Sequence, residues 1–502
     1  MAASPDRRSF IQSSAALGVG GLAFLDRLPA VAADDAKLDP KVVRLEPDIE
    51  PLVRLLEETP REEVLDQVGL RVKKGTPYRD VLAALFLAGV RNVQPRPVGF
   101  KFHAVLVVNS AHQSSLAGPD RERWLPIFWA IDNFKNSQAQ NLKEGGWRMK
   151  PAAEMNLPPA HQAFDAFRTA MDNWDVEGAD VAVAALARTA PANQLFDAFA
   201  RYGCRDFRDI GHKIIFVSNA FRCLEVIGWR HAEPILRSLA YALLEHEGEN
   251  PAKRDGAPDK SGRRNADLAK TFKREWLSGE ANPEASGDVL AAVRTVSDAE
   301  LSDKALSLAN GGVSVSSIWD GLFAGAGELL MRQPGIVGLH TLTTLNAMHY
   351  AFQTCADDQA RKLLLLQAAA FLPQFREAMK ARGKLADTRI DTLTVAGQDE
   401  NPSVEHVFEA LSKDKPYAAR LAMSVQKQQP AGARKLVDAA RLLVFLKGTD
   451  SHDYKFSAAV LEDYSHIAPP WRDRFLAASL FWLKGSAGAD SPVVARTRAA
   501  LS

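Results

Sequence analysis

His340–His349 reads HTLTTLNAMH, and His103–His112 reads HAVLVVNSAH in the same frame: histidine, five residues, asparagine, two residues, histidine. The chain has 11 histidines in 502 residues, so four of them spent on one pattern written twice point to an internal repeat. Two further histidine openings align with it, GHKIIFVSNAFR (211–222) and SHDYKFSAAVLE (451–462). Each follows an apolar run: VLAALFLAG, LFDAFARYG, IWDGLFAGAGELL or KLVDAARLLVFL. Each also precedes another: WLPIFWAIDNF, PILRSLAYALL, LLLLQAAAFL or RFLAASLFWL. Apolar residues recur at three- and four-residue spacing and alternating stretches are rare, which predicts helices throughout. The expected fold is all-α and multi-helical, with four degenerate units of about 110 residues around a central site. The units fall near 45–150, 160–250, 285–385 and 400–490, within one domain over 34–502. Polar, Gly/Pro-rich breaks are expected at 136–160, 248–265, 277–287 and 397–403, the second of them disordered.

Helical geometry sorts the histidines. Residues nine apart are separated by about 900°, half a turn out of phase. His103 and His112 therefore point to opposite sides, as do His340 and His349. The leading histidine has a counterpart in all four units, whereas Phe221 and Leu461 stand at the second position in the other two. The leading set His103, His212, His340 and His452 is therefore the functional candidate. Asn109, Asn219 and Asn346, with His112 and His349, suit packing and hydrogen bonding, and the asparagines also suit orienting an imidazole. Lys455 follows His452 by three residues on the same helix face. A buried lysine there must be deprotonated, paired or modified. Thr343 holds the equivalent place after His340 and is a candidate for the same cavity. Lys213 points about 100° away from His212 and reads as structural. His161, His231, His246, His406 and His466 are expected at the surface. Four imidazoles and a lysine brought to one interior point suit a redox-active metal, and such nitrogen-rich sites accept Fe, Cu, Ni or Zn.

With these motifs in place, the chain resembles the questin oxidase-like proteins. The likeness lies in YRDVLAALFLAGV…FHAVLVVNSAHQ, GHKIIFVSNAFRCLE…ILRSLAYALL, GLHTLTTLNAMHYAF and SHDYKFSAAVLED, across residues 75–485. It is a likeness of spacing and helix context, with HDYK and LHTLT its most specific parts. The resemblance implies a non-haem Fe(II) oxygenase that brings O₂ to aromatic or quinone-type small molecules. It implies His103, His212, His340 and His452 as metal ligands and Lys455, carboxylated on its side-chain nitrogen, as a fifth. His112 shares the family-like AH context with His103 and stays an alternative in the first unit. Phe128, Trp129, Trp319 and Trp482 are candidates to line a substrate cavity or to serve as core. NADPH as electron donor has no sequence signature, because no GxGxxG follows a strand and GVGGLAF lies in the leader.

That leader, SPDRRSFIQSSAALGVGGLAFL followed by AVAAD, places Arg7 and Arg8 before a weakly apolar run. It reads as a twin-arginine export signal over residues 1–33, which implies the twin-arginine machinery as a partner and an extracytoplasmic or periplasmic location. The charges nearly cancel, 62 basic against 61 acidic, which gives no support for a nucleic-acid partner. No later run suits stable membrane insertion. Cys204, Cys223 and Cys355 are too few and scattered for a thiolate metal site and suit core packing. Two other classes compete with an oxygenase: a helical-repeat scaffold whose histidines are core residues, and a metal hydrolase, which has neither HExxH nor paired carboxylates to support it.

Overall fold

A computed structural model describes residues 39–397 and 402–502; the expected leader at 1–33 lies outside them. Among the described residues there are 23 α-helices, and the only β-type pairing is an isolated bridge between Glu280 and Val313. The all-α expectation holds. The helices carrying the leading histidines run His103–Leu106 continued by Val108–Ala117, His212–Ile227, Ile336–Thr354 and Ser451–His466. The Val108–Ala117 segment packs on the second helix, the second on the third, the third on the fourth, and the fourth back on the first. They form a closed ring in chain order.

Composition explains why these helices lie inside. Every residue from His212 to Leu224 and from Val337 to His349 is buried. A helix apolar on all sides is stable only when surrounded, since each buried Leu, Ile or Phe contributes about 1.5–3 kcal/mol. Further helices surround the ring. Tyr78–Asn92, Ala192–Gly203, Val315–Arg332 and Gly432–Lys447 precede the four, and Leu125–Lys143, Ala232–Leu243, Asp358–Lys380 and Pro469–Ser479 follow them. Among the described residues no helix is long and apolar enough to cross a membrane.

The final helix, Pro492–Leu501, returns to the start of the chain and packs on Arg61–Lys73 and Leu125–Lys143. Arg496 bonds Asp132 at 2.7 Å and Arg498 bonds Glu122 at 2.8 Å. A Cβ on Gly69 would lie 2.4 Å from the Ala500 carbonyl oxygen, so only glycine permits this approach.

Three local expectations are corrected. The segment 248–265 is ordered: Ala257–Leu268 is helical, and Asn265 at its core bonds Gln367 at 2.9 Å. The break expected from 136 begins later, because the preceding helix runs on to Lys143. His231, expected at the surface, is buried at 3% exposure. The 257–268 helix is polar in sequence and acquires cover from Asp298–Asn310 and Asp358–Lys380, and the turn carrying His231 packs on His212–Ile227 and Ala232–Leu243. The three cysteines are free and buried.

Candidate metal centre

The four helices deliver their leading histidines to one point. Ligand-capable nitrogens of His103, His212, His340 and His452 lie within 4.8 Å of one another. Nε2 of His212 is 3.0 Å from Nε2 of His103 and 2.9 Å from Nε2 of His340. The His452 ring centre stands 4.4 Å from that of His103 and 5.1 Å from that of His340.

The other ring nitrogen of each histidine fixes the tautomer. Nδ1–H of His103 donates to the Phe100 carbonyl at 2.8 Å, that of His212 to Asp209 at 2.6 Å, and that of His340 to Ile336 at 2.6 Å. Nδ1–H of His452 donates to the Asp450 carboxylate at 2.5 Å. A carbonyl or carboxylate oxygen only accepts, so each Nδ1 carries the proton and each Nε2 presents a lone pair. Four lone pairs therefore converge. An Nε2-to-Nε2 hydrogen bond would need an imidazolium, and burial holds His103, His212 and His340 well below their ordinary pKa, with the Lys455 charge acting the same way. Burial also lowers His452, against the pull of Asp450. Nε2 of His452 is buried with no partner. This arrangement could hold a metal ion at its centre.

The loops entering the first two helices supply those carbonyls at a conformational cost. Phe100, Asp209 and Ile210 adopt positive φ, three of the five such non-glycine residues described. Each costs roughly 1–3 kcal/mol unless its surroundings hold it. Gly211 is clamped under Thr344, where a Cβ would lie 2.1 Å from the hydroxyl oxygen. Gly99, at φ 144°, lies against the rings themselves: a Cβ there would be 3.3 Å from Cε1 of His212. Gly99→Ala is thus expected to push His212 aside and weaken divalent-metal binding by about tenfold or more, read by Co(II) titration of the folded variant. Unchanged affinity would separate Gly99 from the centre.

Lys455 is 3% exposed, and its Nζ has no hydrogen-bond partner. Burial lowers its pKa to about 7, with Asp450 opposing. Its positive charge lowers all four histidines, which places it within electrostatic reach of each. Thr343 is buried, with its hydroxyl 3.5 Å from the Leu339 carbonyl.

The trailing histidines point elsewhere. Nδ1 of His112 meets the Tyr78 hydroxyl at 3.0 Å, and His349 packs on Trp319 at 4.8 Å. Of the two histidines in the first unit, His103 is the one in the cluster. The asparagines cross-link the ring: Asn109 donates to Asn219 at 3.3 Å, and Asn346 to Asp463 at 2.8 Å. None is bonded to an imidazole of the cluster. Lys213 is spent on Asp206 at 3.0 Å. His161, His406 and His466 are exposed and His246 is half-buried. Phe128 and Trp129 are core residues, Trp129 lying 4.4 Å from the Tyr454 ring; Trp319 is buried and Trp482 half-buried. Sequence reasoning missed Asp450, whose signal was an acidic residue just ahead of a helix-opening histidine. It also missed the Phe100 and Asp209 carbonyls, for which side-chain identity gives no signal.

No protein-family model, curated protein or solved structure matches this chain.

Proposed function

We propose that this chain is an exported, non-haem iron-dependent oxygenase acting on aromatic or quinone-type small molecules. We further read it as four degenerate helical units around a nitrogen-rich centre. The convergence of four Nε2 lone pairs, each ring held by an oxygen acceptor on Nδ1, carries the metal part of this reading. The packing of the four helices in chain order supports the repeat. The likeness to questin oxidase-like proteins supplies the oxygen chemistry.

The 3.0 and 2.9 Å separations bring neighbouring nitrogens close enough to share one ion, and an all-nitrogen set accepts Fe, Cu, Ni or Zn. Neutral imidazoles leave the full positive charge on the ion, which suits a divalent state. Bound there, iron would supply the redox chemistry of O₂.

The chain's own residues would do the rest. The carbonyls of Phe100, Asp209 and Ile336 fix three rings, and the surrounding apolar helices exclude water. With its pKa near 7, much of Lys455 is the neutral amine at neutral pH. That amine can add CO₂ with loss of one proton, turning a cation into an anionic oxygen donor. The cluster contains no carboxylate, which disfavours a hydrolase that needs a general base beside its metal.

O₂ uptake by the iron-loaded full chain, with a panel of hydroxylated quinones and polyphenols, tests the proposal. Uptake that disappears in His340→Gln is expected. Zinc bound with no uptake on any member of the panel would move the hydrolase ahead, and no transition metal under iron-replete expression would leave the scaffold.

A further inference from the structure

Three imidazoles of the centre are held alike and the fourth differently. His103, His212 and His340 are tied to main-chain carbonyls, which move only with the backbone. Their Nε2 atoms form a continuous run at 3.0 and 2.9 Å. His452 is tied to a side chain, and its Nε2 touches no partner. The His452 side chain is 13% exposed and that of Asp450 61%, against 9%, 5% and 0% exposure for His103, His212 and His340. Of the four rings His452 stands nearest to solvent, with its Nε2 turned inward and buried.

Asp450 is also anchored. Its carboxylate accepts the His452 backbone N–H at 2.7 Å and caps the helix, and Asp453 completes the capping box from the other side. The Asp453 charge is taken by Lys484 at 2.9 Å. Among the described residues, no lysine or arginine lies within ion-pair distance of Asp450. Its negative charge thus acts on His452 and Lys455 and faces the solvent beside them.

We propose that Asp450 and His452 form the loading arm of the centre. Asp450 is a positioning residue: it draws an incoming divalent cation, aims the fourth imidazole and sets how fast and how tightly the metal is held. The proposal rests on the metal-centre reading above. A carboxylate behind a ligating imidazole makes the ring a stronger donor, and losing such a partner costs about 10–100-fold in metal affinity. The other three rings have only neutral acceptors behind them.

Co(II) uptake by the metal-free full chain, at several ionic strengths, tests this. Asp450→Asn keeps the helix cap, the size and an acceptor oxygen while removing the charge. Association in the variant is expected to be about tenfold slower at low salt, the difference closing near roughly 0.5 M as screening removes the attraction. Affinity is expected to fall by about 10–100-fold. A melting curve of the metal-free variant shows that it is folded, and the salt dependence of the rate is the readout that a merely structural role for Asp450 would not move. Equal rates and affinities for parent and Asp450→Asn at every salt concentration would overturn the proposal alone. A parent chain that takes up no Co(II) would overturn it together with the metal centre.

Discussion

Replacing His340 by glutamine in the full chain is expected to abolish metal binding at the centre. The parent is expected to carry about one transition-metal ion per chain and the variant less than about a tenth of that, because metal affinity depends on the complete preformed ligand set. His212→Gln should do the same, since its Nε2 touches both neighbours. His112→Gln is the control: that ring bonds Tyr78, away from the cluster, and its loss should leave the metal in place. Metal content by elemental analysis, with a melting curve to show that each variant folds, decides the matter. Equal metal loss in His112→Gln and His340→Gln, or none in either, would refute a centre built on the leading histidines.

Lys455→Met is expected to make the metal-free protein more stable and the metal-loaded protein worse at its work. In the folded chain burial holds Lys455 near 7, whereas the unfolded side chain titrates near 10.5. Between these values the unfolded state binds more protons, so the stability of the metal-free parent rises as pH climbs from 7 towards 10.5. At and below pH 7 the full penalty applies, on the order of 5 kcal/mol. Methionine removes the charge at similar length, so its stability profile over that window should be flatter and its advantage greatest at pH 7 and below. Denaturant melts of both chains from pH 6 to 10 measure this. Parallel pH profiles for the two would show that Lys455 is not an unpaired buried amine. O₂ uptake surviving at the parent level in Lys455→Met would remove the lysine from the chemistry.

Legibility of the site followed from periodicity. A histidine and its partner nine residues on cannot share a face of one helix, and only the leading one has a counterpart in each of the four aligned stretches. That favoured the leading residue of each pair, while His112 stayed an alternative to His103 until the structure placed His103 in the cluster. Helical spacing alone disclosed the class of fold. What stayed hidden depends on backbone conformation and on distant cover. Phe100 and Asp209 act through carbonyls in left-handed turns, which any side chain can precede. The helix at 257–268 looks polar until remote helices pack over it. Asp450 went unread; its place ahead of a helix-opening histidine was the signal, and its hold on the imidazole follows from the way its loop approaches the ring.

The closing of the ring by its fourth helix has a temporal consequence. The four imidazoles are spread from residue 103 to residue 452, and Ser451–His466 is the last of the four helices to be made. Synthesis must pass that helix before all four rings can meet. A product that stops short of residue 452 has three cornered rings and an open fourth side.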